Sequence, residues 1–110
     1  MIDETIRNIR ERIEKADAMD DARKRELLGL VATLKTEVQA LSKTQSEHAE
    51  SITRFAELST HEATRSEPDD HLVDVSLKGL AASVRKFEVT HPRLVDIVNR
   101  ICASLADLGI

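Results

Sequence analysis

The sequence predicts an all-α protein, an elongated bundle of four helices with one long central helix and coiled-coil-like packing. Three observations carry that expectation. Of 110 residues, 33% are charged and only three are Gly and two Pro, a composition of helix formers with few breakers. Between Leu27 and Ser59 the chain steps alternately by four and three through Leu27, Val31, Leu34, Val38, Leu41, Gln45, His48, Ile52, Phe55 and Ser59. Such a spacing holds apolar side chains on one stripe of a long helix, which must be buried against other helices. Aromatic residues make up 2% (two Phe, no Tyr, no Trp), so the core must be built from Leu, Ile, Val and Ala. The length suits a single domain spanning 1–110.

The first helix is expected over about 3–16, with Asp3 as its N-cap and Glu4 in the first turn. Its apolar residues, Ile2, Ile6, Ile9, Ile13 and Ala16, follow the same steps. The stretch from Asp17 to Asp20 breaks the pattern, and Asp20 or Asp21 caps the second helix. So short a break implies an antiparallel αα-hairpin. The second helix is expected over about 21–64. At ~1.5 Å per residue it would be roughly 60 Å long, against a radius of gyration of about 13 Å for a compact domain of this size. Either the molecule is a rod or this helix breaks, and the favoured break lies within Ser42 to Ser51, where Ser, Thr and Gln lower helix propensity. Pro68 and the aspartates beside it mark the next loop. The third helix, about 70–89, carries Val73, Leu77, Leu80, Val84 and Phe87, widened by Leu72, Val75 and Ala81. His91 and Pro92 form a helix junction, with Pro92 in the first turn of a fourth helix over about 92–108. That helix carries Leu94, Val98, Ile101, Leu105 and Leu108, with Gly109 as its C-terminal cap.

None of these helices is apolar all round, and none is stable alone in water. The expected path kinks at His91-Pro92 and runs the last helix beside the first, giving a three-helix end and a thinner two-helix end. At the thinner end, Ala49, Ser51 and Ala56 leave small flanks that admit another backbone. A homodimer is therefore expected, with Gln45, His48, Ile52 and Phe55 as its seam on the second and third helices. A seam His beside Gln45 is read as a polar layer that fixes register rather than as a metal or pH site.

Chemistry-bearing motifs are sparse. His61-Glu62-Ala63-Thr64-Arg65 starts like a zinc-protease helix but has Arg65 where the second His is needed. Glu88-Val89-Thr90-His91 has the spacing of carboxylate di-metal bundles, yet only one copy exists. Asp69-Asp70-His71 is explained by helix capping. Cys102 is a lone thiol in an apolar helix, without a disulfide framework, and fits a reducing compartment. No catalytic residue, cofactor site or metal site is expected, and the chain is not read as an enzyme. The net charge is −4, and acids interleave with the basic residues of the first two helices, so nucleic-acid binding there is the weaker alternative. No signal peptide or membrane span is expected, and the default location is the cytoplasm.

The segment Phe87-Glu88-Val89-Thr90-His91-Pro92-Arg93-Leu94 and the terminus Leu105-Ala106-Asp107-Leu108-Gly109-Ile110 carry a resemblance. They resemble an uncharacterised family of short all-helical bacterial proteins with a Phe-Glu-x-x-His-Pro-x-Leu pattern and a Leu-Ala-x-x-Gly-Ile terminus. The opening of the chain is similar as well, so the resemblance covers about the first third and the last quarter. It implies a small helical bacterial protein and no activity, and it directs attention to His91-Pro92 and the Gly109-Ile110 end, with His91 and Glu88 as the candidate partner-binding corner. The residues read there as a junction and cap, with a partner-binding corner as the lesser reading. The expected role is structural or protein-interaction, with self-association and a possible unidentified protein partner.

Overall fold

A computed structural model describes residues 1–109. Among them, five α-helices form: α1 (Ile2–Lys15), α2 (Asp21–Ser42), α3 (Ser46–Ala63), α4 (Asp70–Val84) and α5 (Pro92–Gly109), with a 3-10 turn at Arg85–Phe87. The molecule measures 37 × 24 × 22 Å with a Cα radius of gyration of 12.9 Å. Its long axis is about the ~33 Å length of α2 itself, so the expected elongated rod is replaced by a short bundle.

The long central helix is the main correction. Ser42 and Thr44 aim their hydroxyls at the carbonyls of Gln39 and Leu41, a local competition that weakens helical pairing. The N–H groups of Thr44 and Gln45 both return to the Leu41 carbonyl, at 3.2 and 2.9 Å. Gln45 then leaves helical geometry at φ −140°, ψ 64°. The break falls inside the stretch singled out for it, and it resets the buried face. In α2 the stepped residues Leu27, Val31, Leu34, Val38 and Leu41 are all buried. In α3 the buried set becomes Ala49, Ile52, Thr53, Ala56, Ser59, Thr60, Glu62 and Ala63, while Phe55 turns outward.

These small residues have a packing reason. α3 packs against α1, α2, α4 and α5, so it is the centre of the bundle. Close approach on several sides needs Ala, Ser and Thr rather than Leu. Ala49 and Ala56, read from the sequence as flanks for a second copy, are filled by the chain's own helices. Hydroxyls are satisfied locally: Thr53 and Thr60 donate to the carbonyls of Ala49 and Ala56, and Ser59 Oγ lies 2.8 Å from Phe55 O and 3.0 Å from Ser76 O.

The path after Pro92 also differs from expectation. α5 packs on α2, α4 and α3 but not on α1, which sits across the bundle on α2 and α3. Helix α4 ends at Val84 rather than near 89, where the backbone tightens into a 3-10 turn over Arg85–Phe87 that seats Phe87 in the core. At the N-terminus the helix starts at Ile2, so Asp3 lies inside the first turn, where its carboxylate accepts from Gln39 Nε2 at 2.6 Å. Asp20 caps α2 through the Arg23 N–H, and Asp69 caps α4 through those of His71 and Leu72. Gly109, expected as the C-terminal cap after residue 108, is instead the last residue of α5, and Ile110 lies outside the described residues. No helix of the described residues is long and apolar enough to cross a membrane.

Candidate interaction surface

The four residues expected to form an intermolecular seam occupy three different environments. Ile52 is fully buried in the chain's own core, and Gln45 is half-buried at the helix break. His48 is half-buried, its ring edge-on to Phe87 at 5.5 Å, with Lys86 Nζ 3.2 Å from its Nε2. Phe55 alone faces outward, at 37% exposure. The heptad seam therefore continues across the break in sequence but not in space.

A different set shares an outer face. Helices α3 and α4 run antiparallel, fixed by the Ser59–Ser76 contact and by the Phe55 ring lying on Gly79. The close approach at Gly79 needs the absence of a side chain: a Cβ there would stand 2.5 Å from Phe55 Cε1. Next to this notch the exposed large apolar residues are Leu58 on α3 and Leu72 and Val75 on α4, at 45%, 41% and 50%. Leu72, Val75, Gly79 and Ala82 step by three, four and three, so they form a second stripe on α4 beside its buried one of Val73, Ser76, Leu80 and Val84. Sequence reading placed Leu72 and Val75 in the core as a widening of that stripe.

The rim of this face is charged but self-neutral. Arg54 pairs with Glu50 at 2.7 Å on α3, and Lys78 pairs with Asp74 at 2.9 Å on α4.

The His91-Pro92 junction is a packing element. His91 sets its ring edge-on to Phe87 at 5.4 Å, and its Nδ1 lies 2.9 Å from Thr90 Oγ1. Its N–H donates to the Phe87 carbonyl at 2.8 Å, and its carbonyl accepts from Val95 at 3.3 Å. The ring therefore caps no amide; the backbone does. Phe87 is held between His48 and His91, one from α3 and one from the start of α5. Glu88 is exposed.

Among the described residues no three His, Cys, Asp or Glu side chains converge to hold a metal. Glu62, in the truncated zinc-like motif, is buried and paired with Arg65 at 2.9 Å. Cys102 is half-buried with its Sγ 3.9 Å from the Leu77 carbonyl, and burial pushes its thiol up to about 11. A thiol so protonated is a poor nucleophile at neutral pH.

A family model described as a domain of unknown function, DUF4404, matches residues 30–110. No curated protein and no solved structure matches the chain.

Proposed function

Because the chain belongs to the DUF4404 family, a domain of unknown function, its role must be argued from its own surface, and we propose that it is a protein-interaction module that self-associates through the outer face of α3 and α4. The observation that carries this is the apolar group of Phe55, Leu58, Leu72 and Val75 on neighbouring helices. Clustered exposed apolar side chains mark interaction surfaces more often than scattered ones do. A second copy is the favoured occupant because a two-fold contact sets a patch against itself. A patch of one charge sign would repel its copy, whereas this rim carries Glu50, Arg54, Asp74 and Lys78 in equal and opposite numbers.

Stable dimers bury on the order of 1,200–2,000 Å² in total, so four apolar residues a side would form the centre of the contact and the ion-paired rim its edge. Introducing a charge at the centre is the direct test. Phe55→Glu and Val75→Glu keep the helix and should elute from a sizing column as single chains where the wild type elutes as a pair. Unchanged elution of both variants relative to a paired wild type would move the contact elsewhere.

A further inference from the structure

The half-buried cations of this protein are nearly all matched to an acceptor of full or strong partial charge. Arg23 faces Asp107 at 3.7 Å, Arg65 faces Glu62 at 2.9 Å, and Lys24 donates to the Glu14 carbonyl at 3.0 Å. Arg12 is the exception among the four half-buried lysines and arginines of the described residues, Arg12, Arg23, Lys24 and Arg65. Its Nε donates to Thr64 Oγ1 at 2.9 Å, and that hydroxyl passes its own proton to the Thr60 carbonyl at 2.6 Å. No carboxylate lies within ion-pair distance of Arg12. A partly desolvated guanidinium held by one neutral hydroxyl keeps its terminal N–H donors and its charge uncompensated.

Arg12 lines a groove of about 650 Å³ between α1 and α3. Asn8–Glu57 and Arg12–Thr64 contacts show the two helices running parallel there. The floor is Ile9, Ala16 and Thr60, and Lys15 and His61 stand on the walls beside Arg12. Two acids also line it. Glu57 is engaged by the Asn8 amide at 3.1 Å, while Glu11 is on the exposed side of α1. A groove between α2 and α5 differs in kind: both of its arginines, Arg23 and Arg100, already have aspartate partners.

We propose that the α1–α3 groove is a binding site for a small oxyanion-bearing ligand, a phosphate or a carboxylate, held by the Arg12 fork with Lys15 and His61 alongside. A planar guanidinium with free terminal amino groups presents the paired donors that both oxyanions accept. Partial shielding of Arg12 from water strengthens the contact relative to an exposed lysine. Leu58 and Arg54 of α3 also line this groove, Arg54 already paired with Glu50, so its α3 wall adjoins the α3–α4 face, while the Arg12 fork uses none of Phe55, Leu72 or Val75.

The test is an amide chemical-shift titration of the full chain at low ionic strength, with inorganic phosphate and, separately, succinate. Saturable shifts are expected at groove residues of α1 and α3, weakening as salt is added. Arg12→Gln should abolish them, and Lys15→Gln should weaken binding by at least about threefold. Saturation with both probes supports a general oxyanion site, and saturation with phosphate alone supports a phosphate-bearing ligand. Absence of saturable shifts with either probe, or an Arg12→Gln protein that binds as the wild type does, overturns the proposal. Should Arg12→Gln fail to fold for want of the Thr64 contact, unchanged affinity in Lys15→Gln overturns it instead.

Discussion

Gly29 and Gly79 both sit inside helices, yet a methyl group would meet different surroundings at each. At Gly29 a Cβ finds nothing within 4 Å, so Gly29→Ala should stabilise the protein by about 1 kcal/mol, the helix-propensity difference alone. At Gly79 the same methyl meets the Phe55 ring at 2.5 and 2.8 Å. The ring is exposed enough to swing away, so Gly79→Ala should gain less than that, or lose. In a Phe55→Ala background the gain should return, giving a coupling of roughly 0.5–1 kcal/mol in a thermal double-mutant cycle. Cys102 provides a second test at this scale. Its thiol is pushed up to about 11 by burial, so the folded state favours the protonated form. The stability this contributes is complete below the unfolded value near 9 and is lost as pH rises through the folded value. Alkylation at pH 8 should accordingly be slow in the native protein and fast after unfolding.

Caps and breaks decide the elements. Asp20 and Asp69 each accept a backbone N–H at the start of a helix, and Asp69 accepts two. Asp69→Ala should cost about 1 kcal/mol in denaturant unfolding, with Asp69→Asn costing clearly less. Both aspartates were legible because the residues that follow them resume helical periodicity. The stepped apolar face of α2 was legible too, since Leu and Val at those spacings have one way to be buried. The face of α3 was not. Its buried side is Ala, Ser, Thr, one Glu and one Ile, a set that hydrophobic periodicity does not register, so periodicity continues the stripe instead through Gln45, His48 and Phe55. Small residues signal close packing on several sides only once the neighbours are known. Ile52 is the one large side chain at that centre; Ile52→Ala should cost about 2–5 kcal/mol in the same unfolding experiment.

At the scale of the whole molecule, the break at Lys43–Gln45 changes what the bundle is. An unbroken helix would have left half its length with few partners inside the chain. The fold instead places α3 among four helices and moves the unpartnered apolar surface to the outer side of the α3–α4 pair. The proposed self-association thus rests on Phe55, Leu58, Leu72 and Val75, and only Phe55 belongs to the seam that periodicity alone points to. The proposed oxyanion site in the α1–α3 groove was not legible at all, because it depends on what Arg12 lacks as a partner. Sedimentation equilibrium on the wild-type chain at tens of micromolar tests self-association most directly. The account predicts twice the 12.3 kDa chain mass, falling to a single chain in Phe55→Glu/Val75→Glu; a wild-type mass of one chain at that concentration would contradict it.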